Sequence, residues 1–152
     1  MRHAATNPGV GDPPQFKLDD CNTQRNLSAA GQLQATRIGQ RLMEQGVTIS
    51  SVLSSRWCRC METARKAFGK ATPFHALDSF FGDRRAQADP QTAAVRARIQ
   101  SFNGPGNLMM VTHQVNITAL TGEYPAEGEI FVVRAGPQDR PQWVGRLPPI
   151  TP

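Results

Sequence analysis

Two short apolar runs rich in β-branched and branched residues, "VTISSVLSS" (47–55) and "NLMMVTH" (107–113), constrain this chain most. Each is too short for a helix and is flanked by segments with helical character, so both read as strands. Ser28 is placed as an N-cap before "AAGQLQATRIGQRLMEQG", where Ala35, Ile38 and Leu42 share one face and Gly46 ends the helix. A second helix is expected after Arg59, ending at Gly69. A third should start at Pro90 ("QTAAVRARIQSF"), and a short fourth, "QVNITALTG", is closed by Gly122. "TPFHALD" holds a short strand, "EIFVVR" and "QWVGRL" two more, and residues 4–26 and 79–89 read as loops. Strands alternating with helices imply an α/β fold, a three-layer sandwich with a largely parallel central sheet flanked by helices. At 152 residues the chain is expected to form a single domain over 1–152.

Composition narrows the function. No apolar run is long enough to span a bilayer, and no signal peptide is visible, since Met1-Arg2-His3 leads directly into "AATNPGVGDPP". A formal charge of +5 favours anionic partners, either phosphorylated small molecules or nucleic acid, but charge alone is better read as a solvated basic surface with no particular partner. One Tyr and two Trp leave few stacking platforms among the cations, which argues against nucleic acid.

In α/β folds function gathers where strands end. Arg2-His3, Arg56-Trp57-Cys58-Arg59 and Thr112-His113-Gln114 stand at three such points. An imidazole can attack phosphorus, and guanidinium groups can grip its non-bridging oxygens, so this set suits phosphoryl chemistry without a metal or other cofactor. Individually, Arg2 and His3 could be an ordinary chain end, Arg59 a helix-end cation and His113 a structural histidine. His75 has no motif around it. The C-x-C pair Cys58 and Cys60 reads as a metal clamp, half a disulfide or packing about Arg59. Three cysteines cannot form a four-cysteine zinc site.

"RHAAT" (2–6), "RNLSAAGQLQA" (25–35), "SSRWCRCMETA" (54–64) and "MMVTHQ" (109–114) resemble, in order, motifs of the histidine phosphatase superfamily, in its phosphoglycerate-mutase-like branch. A bacterial envelope subgroup linked to phosphorylated lipopolysaccharide core sugars is also similar. The resemblance implies a phosphatase that hydrolyses a phosphomonoester through a phosphohistidine, with a phosphorylated small molecule as substrate. His3 would be the nucleophile, Arg2 and Arg59 would hold the phosphoryl oxygens, and His113 would donate to them. Thr6, Asn7 and Arg25 would contribute substrate contacts, and Arg56 would be peripheral. The family's glutamate acid falls at Ser79 in "LDSFFG" (77–82), leaving Asp83 as the expected acid, with Asp78 as the alternative. A phosphoryl-binding module without turnover is the competing reading.

The resemblance also implies a central strand running into Arg2-His3, of which the sequence holds only Met1. The expectation is an N-terminally truncated chain lacking that first strand. A signal peptide upstream would make the protein periplasmic or exported, and its absence would make it cytoplasmic. Because the family folds the Cys21 segment beside Arg59, the resemblance implies a disulfide from Cys21 to Cys58 or Cys60, in keeping with an oxidising setting; three reduced, partly buried thiols are the equal alternative.

Overall fold

The computed structural model describes residues 1–150. Its elements, in order, are α1 (Ala29–Glu44), β1 (Ile49–Ser54), α2 (Cys58–Phe68), β2 (Thr72–Pro73), α3 (Ala88–Gln100), β3 (Asn107–Val111), α4 (Gln114–Thr121), β4 (Ile130–Arg134) and β5 (Gln142–Leu147). Short 3₁₀ turns cover Cys21–Thr23, His75–Leu77, Gly82–Gln87 and Pro137–Asp139.

The Ser28 side chain accepts from Gly31 N and starts α1, whose buried Gly31, Gln34, Ala35, Ile38 and Leu42 recur at helical spacing. The helix lies so close to the N-terminal loop that a Cβ on Gly31 would sit 1.8 Å from the Ala5 carbonyl oxygen. Two sequence-derived boundaries shift. Helix α2 begins at Cys58, which places Arg59 in its first turn rather than ahead of it. Helix α3 begins at Ala88, because the 3₁₀ turn at 82–87 leads straight into it and Pro90 still falls where no intrahelical N–H is required.

Strands β2, β1 and β3 form a parallel sheet in that spatial order, and β4 pairs antiparallel with β5 in a separate two-stranded sheet. Alternation along the parallel strands sends side chains to two cores. Val52, Met109 and Val111 pack with Ile38, Leu42 and Ala64 of α1 and α2, while Leu53 packs with Val95 of α3, against Leu108 and Met110. Helices therefore cover both faces, giving three layers.

Residues 1–3 lie alongside the end of β3. Arg2 forms a parallel bridge with Thr112. The Met1 amine donates to Met110 O at 2.6 Å, Thr112 N to Met1 O at 2.9 Å, and His3 N to Thr112 O at 2.9 Å. On the other side Arg2 N donates to Glu129 O and Gly128 N to His3 O. His3 is thus clamped by backbone bonds to two segments. Beyond Met1 an apolar groove of about 600 Å³ opens between the two sheets, its lining including Met109, Ile117, Ile130 and Leu147.

Candidate active site

Four polar segments meet at the carboxyl end of the parallel sheet. Residues 2–6 arrive from the bridge to β3. Ser55 follows β1, Arg59 stands on the first turn of α2, and His113 follows β3 at the N-terminus of α4. His3, Arg59 and His113 are 4 %, 6 % and 4 % exposed, so a charge entering here leaves water behind.

The hydrogen bonds fix both imidazoles. His3 Nδ1 lies 2.8 Å from the Ala4 carbonyl oxygen, which can only accept, so Nδ1 carries the proton and Nε2 keeps its lone pair. Arg59 Nη2 lies 3.4 Å from His113 Nδ1, and a guanidinium can only donate, so in His113 the bare nitrogen is Nδ1. His113 Nε2 then donates to Ser55 Oγ at 2.8 Å, and the Ser55 hydroxyl donates to Asp78 Oδ1 at 3.2 Å. Burial first, then the charge of Arg59, holds both histidines well below their usual value of 6.5 and keeps them neutral. The rings stand edge to face, 5.6 Å between centroids.

Each arginine is backed by a carboxylate. Arg59 Nη1 and Nη2 donate to the two oxygens of Asp12 at 2.9 and 3.0 Å. Asp12 also accepts from Arg25 N at 2.9 Å and Trp57 Nε1 at 3.2 Å. Burial opposes the Asp12 charge, but these donors outweigh it and hold the carboxyl below its usual range. Glu127 accepts from Arg2 Nη2 at 3.4 Å, Arg25 Nη2 at 3.1 Å, Thr6 Oγ1 at 2.8 Å and Thr6 N at 3.2 Å. Arg25 Nη2 also contacts Thr6 Oγ1. The Nε atoms of Arg2, Arg25 and Arg59 are buried and have no hydrogen-bond partner.

Of the residues singled out in the sequence, Arg2, His3, Thr6, Arg25, Arg59 and His113 come together here. Asn7 is exposed on the loop that follows. Asp83 does not join them: it sits exposed in the 82–87 turn, and its expected role as acid has no geometric support. Asp78 is buried and committed to Ser55 and Arg56, accepting from Arg56 N at 2.8 Å and Arg56 Nε at 2.7 Å. Sequence reasoning missed Asp12, Ser55 and Glu127. Ser55 lay inside a motif already read, whereas nothing local marked the two carboxylates.

A disulfide joins Cys21 to Cys58, tying the N-terminal loop to the first turn of α2 next to Arg59. Cys60 is a free, buried thiol, pushed up to about 12 by burial, and its sulfur lies 3.5 Å from His113 Nε2. Among the described residues no cluster of three or more His, Cys, Asp or Glu is arranged to hold a metal ion. No helix among them is long and apolar enough to cross a membrane.

No protein-family model and no curated protein matches the chain in sequence. Solved structures do match in fold. The protein histidine phosphatase SixA, complexed with tungstate, superposes with a TM-score of 0.69 at 17 % identity, covering 98 % of this chain and 94 % of that one. YhfR of Bacillus stearothermophilus gives 0.70 at 15 % identity over 93 % and 92 % of the two chains. A putative α-ribazole-5'-P phosphatase from Escherichia coli gives 0.68 at 18 % over 95 % and 92 %. The chain has the α/β fold of the histidine phosphatases, phosphoglycerate-mutase-like in architecture, with its polar cluster at the carboxyl end of the parallel strands.

Proposed function

We propose that this protein is a phosphatase that hydrolyses a phosphomonoester through a phosphohistidine on His3, with arginines instead of a metal ion stabilising the charge. One observation carries the reading. A neutral imidazole with its Nδ1 proton committed to Ala4 shares a buried site with three arginines whose Nε groups lack partners. Buried N–H groups without acceptors are costly, and a phosphoryl group offers three acceptor oxygens. In this reading His3 Nε2 attacks phosphorus as the ester P–O bond breaks, and the departing alkoxide takes a proton from water to leave as the alcohol. Water then attacks the phosphohistidine, the P–N bond breaks and phosphate leaves. The arginines offset the charge that spreads over the equatorial oxygens.

Binding without turnover is the second reading, favoured by the exposed position of Asp83, the expected acid. Hydrolysis of p-nitrophenyl phosphate in EDTA separates the two. The expected result is turnover that disappears in His3→Ala, with acid-labile phosphate trapped on the parent protein. Phosphate binding without turnover supports the module, and neither binding nor turnover rejects both.

A further inference from the structure

The bidentate pair between Asp12 and Arg59 divides the guanidinium into two edges. Asp12 takes the Nη1–Nη2 edge at 2.9 and 3.0 Å. On the remaining edge Nε is buried and has no partner, while Nη2 donates its second hydrogen to His113 Nδ1 at 3.4 Å, a long contact. A planar guanidinium accepts a second bidentate partner only on an edge the first leaves free. We propose that Asp12 is a positioning residue for phosphoryl binding: by holding one edge of Arg59 it turns the other, with its unpartnered Nε, toward the phosphoryl group beside His113. This rests on the phosphatase reading above.

The surrounding contacts suit Asp12 to that task. It accepts from Arg25 N, and Arg59 Nη1 donates to Arg25 O at 3.2 Å, so one carboxylate sets two of the arginines together. Trp57 Nε1 binds the second oxygen and fixes the carboxylate's orientation. The Cys21–Cys58 disulfide and the bond from Cys58 N to Gln24 Oε1 at 2.9 Å secure the same loop against α2. Four N–H donors converging on Asp12 favour its ionised form, which suits it to hold a cation and unsuits it to give a proton to a leaving group.

The test is Asp12→Asn, which keeps the shape and one acceptor. Inorganic phosphate should inhibit the variant about 10- to 100-fold more weakly, and kcat/KM should fall by a similar factor, the scale on which one misplaced donor matters. The loss should be the same for p-nitrophenyl phosphate and for an alkyl phosphate. In an Arg59→Lys background the same substitution should add little, because Asp12 acts through Arg59. Tighter phosphate binding would mean that Asp12 competes for the seat and would overturn the proposal. A loss concentrated on the alkyl ester would make Asp12 an acid, and additive losses a merely structural residue; either overturns it too. Asp12→Glu, which keeps the charge but moves the carboxylate, should also weaken phosphate, and an unchanged value counts against positioning even if the Asn variant fails to fold. An inactive parent that binds no phosphate instead removes the phosphatase reading itself.

Discussion

Ser55 Oγ lies 2.8 Å from His113 Nε2 and donates its own hydrogen bond to Asp78 Oδ1, so a buried relay runs from the end of β1 through His113 to Arg59. Every member has a fixed direction: carboxylate accepts from serine, serine from histidine, histidine from arginine. His113 is thereby held in one tautomer without direct contact with a carboxylate.

Ser55→Ala therefore releases His113 and leaves Asp78 one donor short. The expected cost is about 1–3 kcal/mol of stability, as for other buried groups stripped of a partner. Hydrolysis should fall roughly tenfold or more, since a fixed tautomer is worth up to about 10⁴ in comparable histidine relays. Thermal melts and kcat measured on the same preparation check both parts; an unchanged kcat would leave the relay without a catalytic role.

Stability should decline on acidification. His3 and His113 stay neutral in the fold, while in the unfolded chain they protonate near 6.5. Below that pH the unfolded state binds more protons, and stability is lost as pH falls from 6.5 toward the lowered folded values, by up to about 1.4 kcal/mol per pH unit for each histidine. The Met1 amine, lowered by burial from 8.0 to about 5, acts in the same direction from pH 8 downward. Asp12 adds to the loss at lower pH, through 3.8 and below. Tm should thus rise steadily from pH 5 to pH 8, and a flat or falling profile would contradict the neutral histidines.

Reduction should loosen the loop that carries Asp12. Cys21 and Cys58 are 37 residues apart, and opening a loop of that length costs roughly 2–4 kcal/mol in the chain-entropy account. A reductant should lower Tm and weaken phosphate binding together. Thiol titration should find three groups only after reduction and denaturation, with the single free one, Cys60, slow to react in the native protein.

Gly31→Ala tests the approach of α1 to the N-terminal loop. The added carbon would sit 1.8 Å from Ala5 O, the atom that also accepts from Ser28 N at 3.1 Å, so backbone must move. Overpacking of this kind costs about 1–3 kcal/mol. Because Ala5 precedes Thr6, phosphate affinity should fall along with stability, whereas Gly11→Ala, in open space, should leave stability unchanged.

Local pattern made much of the fold legible. The Ser28 cap and the spacing of Ala35, Ile38 and Leu42 placed α1, a β-branched run placed β1 and a short apolar run placed β3, because each signal is complete within a few residues. The order of the four motifs drew attention to Arg2, His3, Arg59 and His113. Asp12 and Glu127 were invisible for a physical reason: they meet Arg59 and Arg25 across 47 and 102 positions of chain, and a loop carboxylate looks the same whether it faces water or an arginine. Asp83 shows the converse, a loop acid that the 82–87 turn carries to the surface. The separation of β4 and β5 into their own antiparallel pair was hidden too, since both strands read as apolar runs like the rest.

The apolar groove beyond Met1 bears on how this protein should be handled at the bench. Environment-sensitive dyes that brighten in greasy surroundings should find a home there in the folded molecule. Fluorescence would then start high and change little on heating, so unfolding is better followed by circular dichroism or by Trp57, which is buried in the fold and reports directly on the neighbourhood of Asp12.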